Sequence, residues 1–173
     1  LRAGQSHLAA GALDKAVEQF DAVARNDKRR LAPEARFRQG EVHLRRQDWP
    51  ADIATLVPFR DKGELQNLAD LSDRALLRLG HAYAAAGQWE PSRQTFEIHV
   101  GRYPQSPFRF EAQYGFAWAL QNLKQYDPAI KLYITEALKT WRKHNAAMIL
   151  STQSRADLRD SGIEPAIVES CAT

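Results

Sequence analysis

Cysteine is almost missing from this sequence: Cys171 stands alone. An internal disulfide needs a pair, and a cysteine-based metal site needs at least that, so both are excluded. No stretch approaches the ~18 consecutive apolar residues of a membrane-spanning helix, and no span is expected. There is no initiating Met and no charged segment running into an apolar one. Leu1 falls inside a helical pattern already under way, so the chain is expected to be a portion of a longer protein or one trimmed at its front. Catalytic signatures are absent too. No Gly-rich phosphate loop precedes a Lys, and neither Gly-x-Ser-x-Gly nor His-Glu-x-x-His occurs. The five histidines are dispersed. His7 and His43 fall where packing is the simpler role, while His99 and His144 read as exposed helix residues. No pair of carboxylates is singled out by its setting. The expectation is a chain that is not an enzyme and holds neither metal nor cofactor.

What is present is an ordinary packed composition. The chain is 44% hydrophobic and 26% charged, with a net charge of +3 and a pI near 9.1. The densest basic run is Lys28, Arg29 and Arg30, followed by Arg36, Arg38, Arg45 and Arg46. Asp27, Glu34, Glu41 and Asp48 are interleaved with it. Interleaving weakens a phosphate-binding field, so a solvated helix face is expected rather than a nucleic-acid surface.

A repeat dominates the pattern. From Leu76 the chain reads Leu76, Leu79, Gly80, Tyr83, then Gly87, Trp89, Ser92, Phe96 and Pro104. Small residues at Gly80 and Ser92 let two antiparallel helices approach, Tyr83 and Phe96 fill the space between layers, and Pro104 stops the second helix. Trp89-Glu90-Pro91-Ser92 returns as Tyr126-Asp127-Pro128-Ala129: aromatic, acidic cap, Pro, small residue. Gly4, Ala16 and Phe20 mark an earlier unit, whose first helix runs from Leu1 to about Ala9 and is ended by Gly11. Pro33, Phe37, Gly40, Leu44, Trp49, Leu56 and Phe59 mark the next, with a turn at Lys62-Gly63 among extra residues before Ser72. In the fourth, Ser106 is expected as the helix N-cap and Pro107 as the first helical position. One pair of helices cannot bury its apolar faces alone, so a stack is predicted. The expected pairs are 1–27, 32–60, 70–104 and 106–140, and 141–173 forms a degenerate fifth repeat or capping helices. One position departs. Asp52 stands where Ala16 and Ser92 stand. The expectation is a looser layer in which Asp52 caps the helix or reaches its rim; the alternative is a buried carboxylate paired with an Arg.

The order and spacing of these residues resemble the tetratricopeptide-repeat family. That resemblance implies an all-α, right-handed α-solenoid whose first helices line a concave groove. It places Phe37, Glu41, Leu44 and Arg45 there, then Arg74, Leu77, His81 and Ala85, then Glu111, Tyr114, Trp118, Gln121 and Asn122. Phe37, Leu77 and Tyr114 are expected to pack between neighbouring first helices. The partner-binding candidates are Glu41, Arg45, Arg74, His81, Glu111, Trp118, Gln121 and Asn122. Aromatics among alternating charges suit an extended peptide or a helix of a partner protein. The Lys and Asn clamp of the co-chaperone branch is not recognisable, since Gln5, Glu41, His81 and Trp118 occupy the Asn position. The Arg102 to Pro107 turn, with Glu111, Ala112 and Tyr114 after it, resembles bacterial cell-envelope members: the lipoprotein of outer-membrane assembly and the periplasmic Tol-Pal coordinator. That likeness implies a bacterial scaffold of the periplasm or cell envelope. Two other readings stay open, a helical-repeat RNA binder and a superhelical support within a larger chain. End repeats could also stack on a second copy.

Overall fold

The computed structural model describes residues 1–26, 31–125 and 128. Among them are seven α-helices and no strand: α1 (Arg2–Ala9), α2 (Leu13–Asn26), α3 (Ala32–Arg46), α4 (Trp49–Asp61), α5 (Ser72–Ala85), α6 (Trp89–Arg102) and α7 (Arg109–Asn122). Each helix packs on the next, and α5 also touches α7. The result is an all-α solenoid of stacked antiparallel helix pairs. The basic run at Lys28–Arg30, the second helix expected after Tyr126, His144, Cys171 and the 141–173 tail lie outside the described residues.

The turns inside successive pairs share one geometry. The N–H of Ala12, Asp48, Gln88 and Gln125 donates to the carbonyl of His7, His43, Tyr83 and Leu120, at 2.9–3.0 Å. In each case the residue just before the donor has a left-handed backbone: Gly11 (φ 73°), Gln47 (φ 56°), Gly87 (φ 71°) and Lys124 (φ 60°). This is the Schellman termination, and it satisfies carbonyls that a helix end would leave unpaired. Its recurrence is a backbone signature of the repeat, independent of side-chain likeness.

Packing between the two helices of a pair depends on a missing Cβ. A Cβ on Gly80 would stand 2.6 Å from Cε1 of Phe96, and one on Gly4 would stand 2.5 Å from Cε1 of Phe20. Both rings are fully buried. The glycine therefore makes room for an aromatic ring of the facing helix. Ser92 closes the same contact by donating its hydroxyl to the Gly80 carbonyl at 2.9 Å. Phe96 is held from the far side as well, because a Cβ on Gly115 of α7 would lie 2.5 Å from its Cζ. In the middle pair the ring is replaced by Leu56, and Gly40 faces Leu56 and Asp52.

The core is a string of clusters, as expected of a stack in which each layer touches only its neighbours. Leu8, Ala16, Phe20 and Val42 form one. Phe37, Leu56, Phe59, Leu76, Leu79 and Tyr83 belong to the largest. Leu77, Phe96 and Ala112 form a third. The extra residues before α5 form a 3-10 turn, Gly63–Leu65, and a fastened loop. Ser72 Oγ donates to the Leu65 carbonyl and accepts from Leu68 N–H, and Tyr103 donates its hydroxyl to the Gln66 carbonyl.

Three local expectations change. His99 is fully buried, not exposed. It sits 40 residues after Phe59, in the same core position, and burial pushes its imidazole below the usual histidine range despite nearby Asp73. Ser106 does not cap a helix starting at Pro107. The helix begins at Arg109; Ser106 instead accepts from Phe108 N–H at 3.1 Å and donates to Asp73 at 2.6 Å, tying the turn to α5. Glu90 is not a cap either; it lies in the first turn of α6 and accepts from Arg93 and Gln94.

Two substitutions test this packing. Gly80→Ala is expected to destabilise by about 1–3 kcal/mol, the usual cost of overpacking a rigid core contact. Gln47→Gly is expected to stabilise by about 1 kcal/mol, since a left-handed backbone penalises residues with a Cβ. Urea unfolding followed by helical circular dichroism measures both. Equal stabilities for Gly80→Ala and the parent would show that the notch is not required.

Candidate functional site

The first helices α1, α3 and α5 share one side of the stack, and a cavity of about 530 Å³ opens between them. Its apolar part is Leu8 and Ala9 of α1 and Leu44 of α3. Its polar part is Gln5, Glu41 and three guanidinium groups, from Arg38, Arg45 and Arg78. No second helix contributes. The wall comes from three helices that only a stack brings together.

The three arginines are held differently. Arg38 donates to Glu34 at 2.7 Å and to Glu41 at 2.9 Å, so acids of its own helix neutralise it. Arg45 donates to the Leu8 carbonyl at 2.9 Å, a backbone acceptor at the end of α1. It has no acidic partner among the described residues. Arg78 reaches inward, its side chain only 13% exposed, and its Nε lies 3.8 Å from Oδ2 of Asp52. Its guanidinium carbon also stands 5.5 Å from the centre of the Phe37 ring, where Arg74 lies at 5.1 Å.

Asp52 is fully buried. The cap on α4 is Asp48, whose carboxylate accepts from Ala51 N–H at 3.2 Å. The expectation of a looser layer with Asp52 as cap or rim residue is therefore corrected: a buried carboxylate paired with an arginine is what the structure holds. The pair is loose. Neither oxygen of Asp52 and neither Nε nor Nη2 of Arg78 has a hydrogen-bond partner among the described residues. Burial raises the Asp52 carboxyl to about 6, the charge of Arg78 opposing the rise. Burial also pulls the Arg78 guanidinium below its ordinary value, against the pull of Asp52.

The sequence candidates fall into separate groups. Glu41 and Arg45 line the cavity. Arg74 caps the buried Phe37 ring beside it. His81 Nε2 and Glu111 Oε1 lie 3.2 Å apart across α5 and α7. Trp118 packs edge-on against Trp89, with ring centres 4.9 Å apart, and stays 38% exposed. Asn122 donates to the Trp118 carbonyl, one turn back, and Gln121 is exposed. Phe37 and Leu77 pack between first helices as expected. Tyr114 is 62% exposed instead.

Two family profiles match the chain, both described as tetratricopeptide repeat, one over residues 1–56 and one over residues 74–106. The chain carries tetratricopeptide repeats over these two stretches. No curated protein matches it. Tetratricopeptide repeats generally mediate protein–protein interaction, and no described helix is long and apolar enough to cross a membrane.

Within this repeat protein the residue missed by sequence reading is Arg78. The signal was available: a carboxylate at the small-residue position of the second pair requires a counter-charge from the adjacent first helix. The register holds a second clue. Arg78 and Gly115 are 37 residues apart, and where α7 offers Gly115 to the large Phe96, α5 offers Arg78 to a layer holding Leu56 and Asp52.

The pair has a testable pH signature. The folded-state value of Asp52, about 6, lies above its ordinary 3.8. Its contribution therefore favours folding at low pH and is lost as pH rises through about 6. Arg78→Met is expected to cost about 3–5 kcal/mol at pH 8, where it strands a buried carboxylate. At pH 5 Asp52 is protonated with or without Arg78, and the cost is expected to shrink to about 1–2 kcal/mol of lost packing. Urea unfolding at the two pH values decides; equal losses would remove the ion pair from the account.

Proposed function

We propose that this repeat protein is a non-catalytic scaffold whose first-helix groove takes an extended or helical segment of a partner protein. The observation that supports this most is the cavity between α1, α3 and α5. It joins apolar floor residues, Leu8 and Leu44, to arginines and a glutamate that can fix orientation. Peptide grooves work this way: apolar anchors supply affinity and charged rims supply register. Trp118, half-exposed further along the same side, offers a second anchor.

An RNA-binding reading is less favoured, because Glu34 and Glu41 neutralise Arg38 and Asp52 faces Arg78. The proposed likeness to bacterial cell-envelope members rests on the Arg102 to Pro107 turn with Glu111, Ala112 and Tyr114 after it.

Peptide-display selection on the folded protein tests the reading. Selected peptides are expected to lose at least about ten-fold in affinity, about 1.4 kcal/mol, for Arg45→Glu or Leu44→Asp. Both side chains are exposed, so the melting temperature should hold. Unchanged binding to both variants would move the interaction away from this groove.

A further inference from the structure

The cavity is not electrically uniform, and one of its charges is shared with the interior. Arg45 projects into it with only a backbone acceptor, the Leu8 carbonyl. Arg78 reaches it from α5 while its Nε faces Asp52, buried behind it at 3.8 Å. That distance is too long for a hydrogen bond, and the buried Nε and Nη2 have no other acceptor among the described residues. Arg78 is thus a guanidinium with one loosely held internal carboxylate on its inner side and a cavity at its outer edge.

We infer that the cavity between α1, α3 and α5 receives an acidic side chain of the partner segment, held by Arg45 and Arg78, and that Asp52 competes with that carboxylate for Arg78 from inside the repeat stack. This rests on the groove reading and names the partner's chemistry: an acidic residue beside an aliphatic one, the aliphatic group seated on Leu8 and Leu44.

Charge complementarity argues for the acid. Of the three arginines on the wall, Arg38 is already bonded to Glu34 and Glu41. Arg45 and Arg78 are left to face an incoming group. A carboxylate accepts several N–H bonds at once, and a guanidinium presents them in a planar fork. A basic segment would meet those two arginines with only Glu41 to receive it, and Glu41 is committed to Arg38.

The competition follows from Asp52's position. With Asp52 ionised, Arg78 is half of a neutral pair and its attraction for a second carboxylate is reduced. With Asp52 protonated, Arg78 offers its full charge. Burial already holds Asp52 near the point where this changes, at about 6. The other charged or titratable groups acting on the pair are Arg38, Glu41 and His43 from α3, Asp48 from α4 and Arg74 from α5. His43 is the histidine among them, its imidazole lowered from its ordinary value by burial, so it is the control.

The test is an NMR titration of the isotopically labelled chain with acetyl-Leu-Glu-amide and, separately, acetyl-Leu-Gln-amide, following arginine Nε–Hε signals. Arg78→Lys assigns the Arg78 signal. The Glu peptide is expected to move the Arg78 and Arg45 signals and to bind at least about five-fold more tightly than the Gln peptide. Arg45→Gln, on the exposed wall, should lose that preference. Asp52→Asn should tighten the Glu peptide about three- to ten-fold at pH 7.5 and abolish the tightening the parent shows on going to pH 5.5.

Equal binding of the two peptides, or arginine signals that stay still, overturns the inference. If display-selected peptides still require Leu44 and Arg45, the groove reading survives that failure. A Glu preference unaltered by Asp52→Asn also overturns it, by removing the competition. Should Asp52→Asn not fold, His43→Gln decides: pH-dependent tightening that persists supports Asp52, and its loss transfers the effect to His43 and sinks the proposal.

Discussion

A phenyl ring seated where a Cβ is missing sets the geometry of this protein. Phe20 lies against Gly4 and Phe96 against Gly80, and neither glycine could carry even a methyl group without displacing a buried ring. The contact fixes how closely two helices of a pair approach. That distance, with the recurring Schellman turn, fixes how the two helices of each pair are set against one another. Gly115 extends the constraint across layers, since Phe96 is enclosed by α5 on one side and α7 on the other. A solenoid has no single core, so the same local solution must recur in each layer for the stack to hold.

The middle layer departs from that solution, and the departure is coordinated. Leu56 replaces the ring, Asp52 replaces the small residue, and Arg78 arrives from the following helix. None of the three changes is tolerable alone. Leu56 with a small neighbour would leave a void, and Asp52 without Arg78 would bury an unpaired charge. Even together they are expensive: holding Asp52 ionised at neutral pH, against a value raised from 3.8 to about 6, costs about 3 kcal/mol. A leucine or alanine pair would be expected to make a more stable layer.

How far the sequence could be read follows the same division. Gly, Pro and aromatic residues announce helix ends and notches through backbone chemistry that depends little on neighbours. Hence α1 to α6 stand close to where spacing puts them. Positions whose role depends on what lies across a layer were less legible. Arg78 is one more arginine in a basic sequence until Asp52 is seen opposite it. His99 looks like a surface residue until its register with Phe59 puts it in the core. Gln47 and Lys124 hide left-handed turns that Gly11 and Gly87 display. The candidate groove was legible as a face, through Glu41 and Arg45. Which of its arginines are already engaged was not, because that depends on Glu34, Asp52 and the Leu8 carbonyl rather than on the arginines themselves.

The location of the costly pair gives its cost a meaning. Asp52 sits inside the layer and Arg78 runs from that layer to the groove wall, so a single side chain belongs to both core and surface. In the layers built on Phe20 and Phe96, packing ends at a ring that carries no charge to the outside. In the middle layer it ends at a guanidinium whose charge depends on a buried neighbour. A purely apolar middle layer would stabilise the stack and leave the groove with Arg45 as its only uncommitted cation. The energy spent on ionising Asp52 is therefore coupled to the surface where a partner would bind. Because that coupling runs through one side chain, ligand on the wall and proton on Asp52 must influence each other reciprocally.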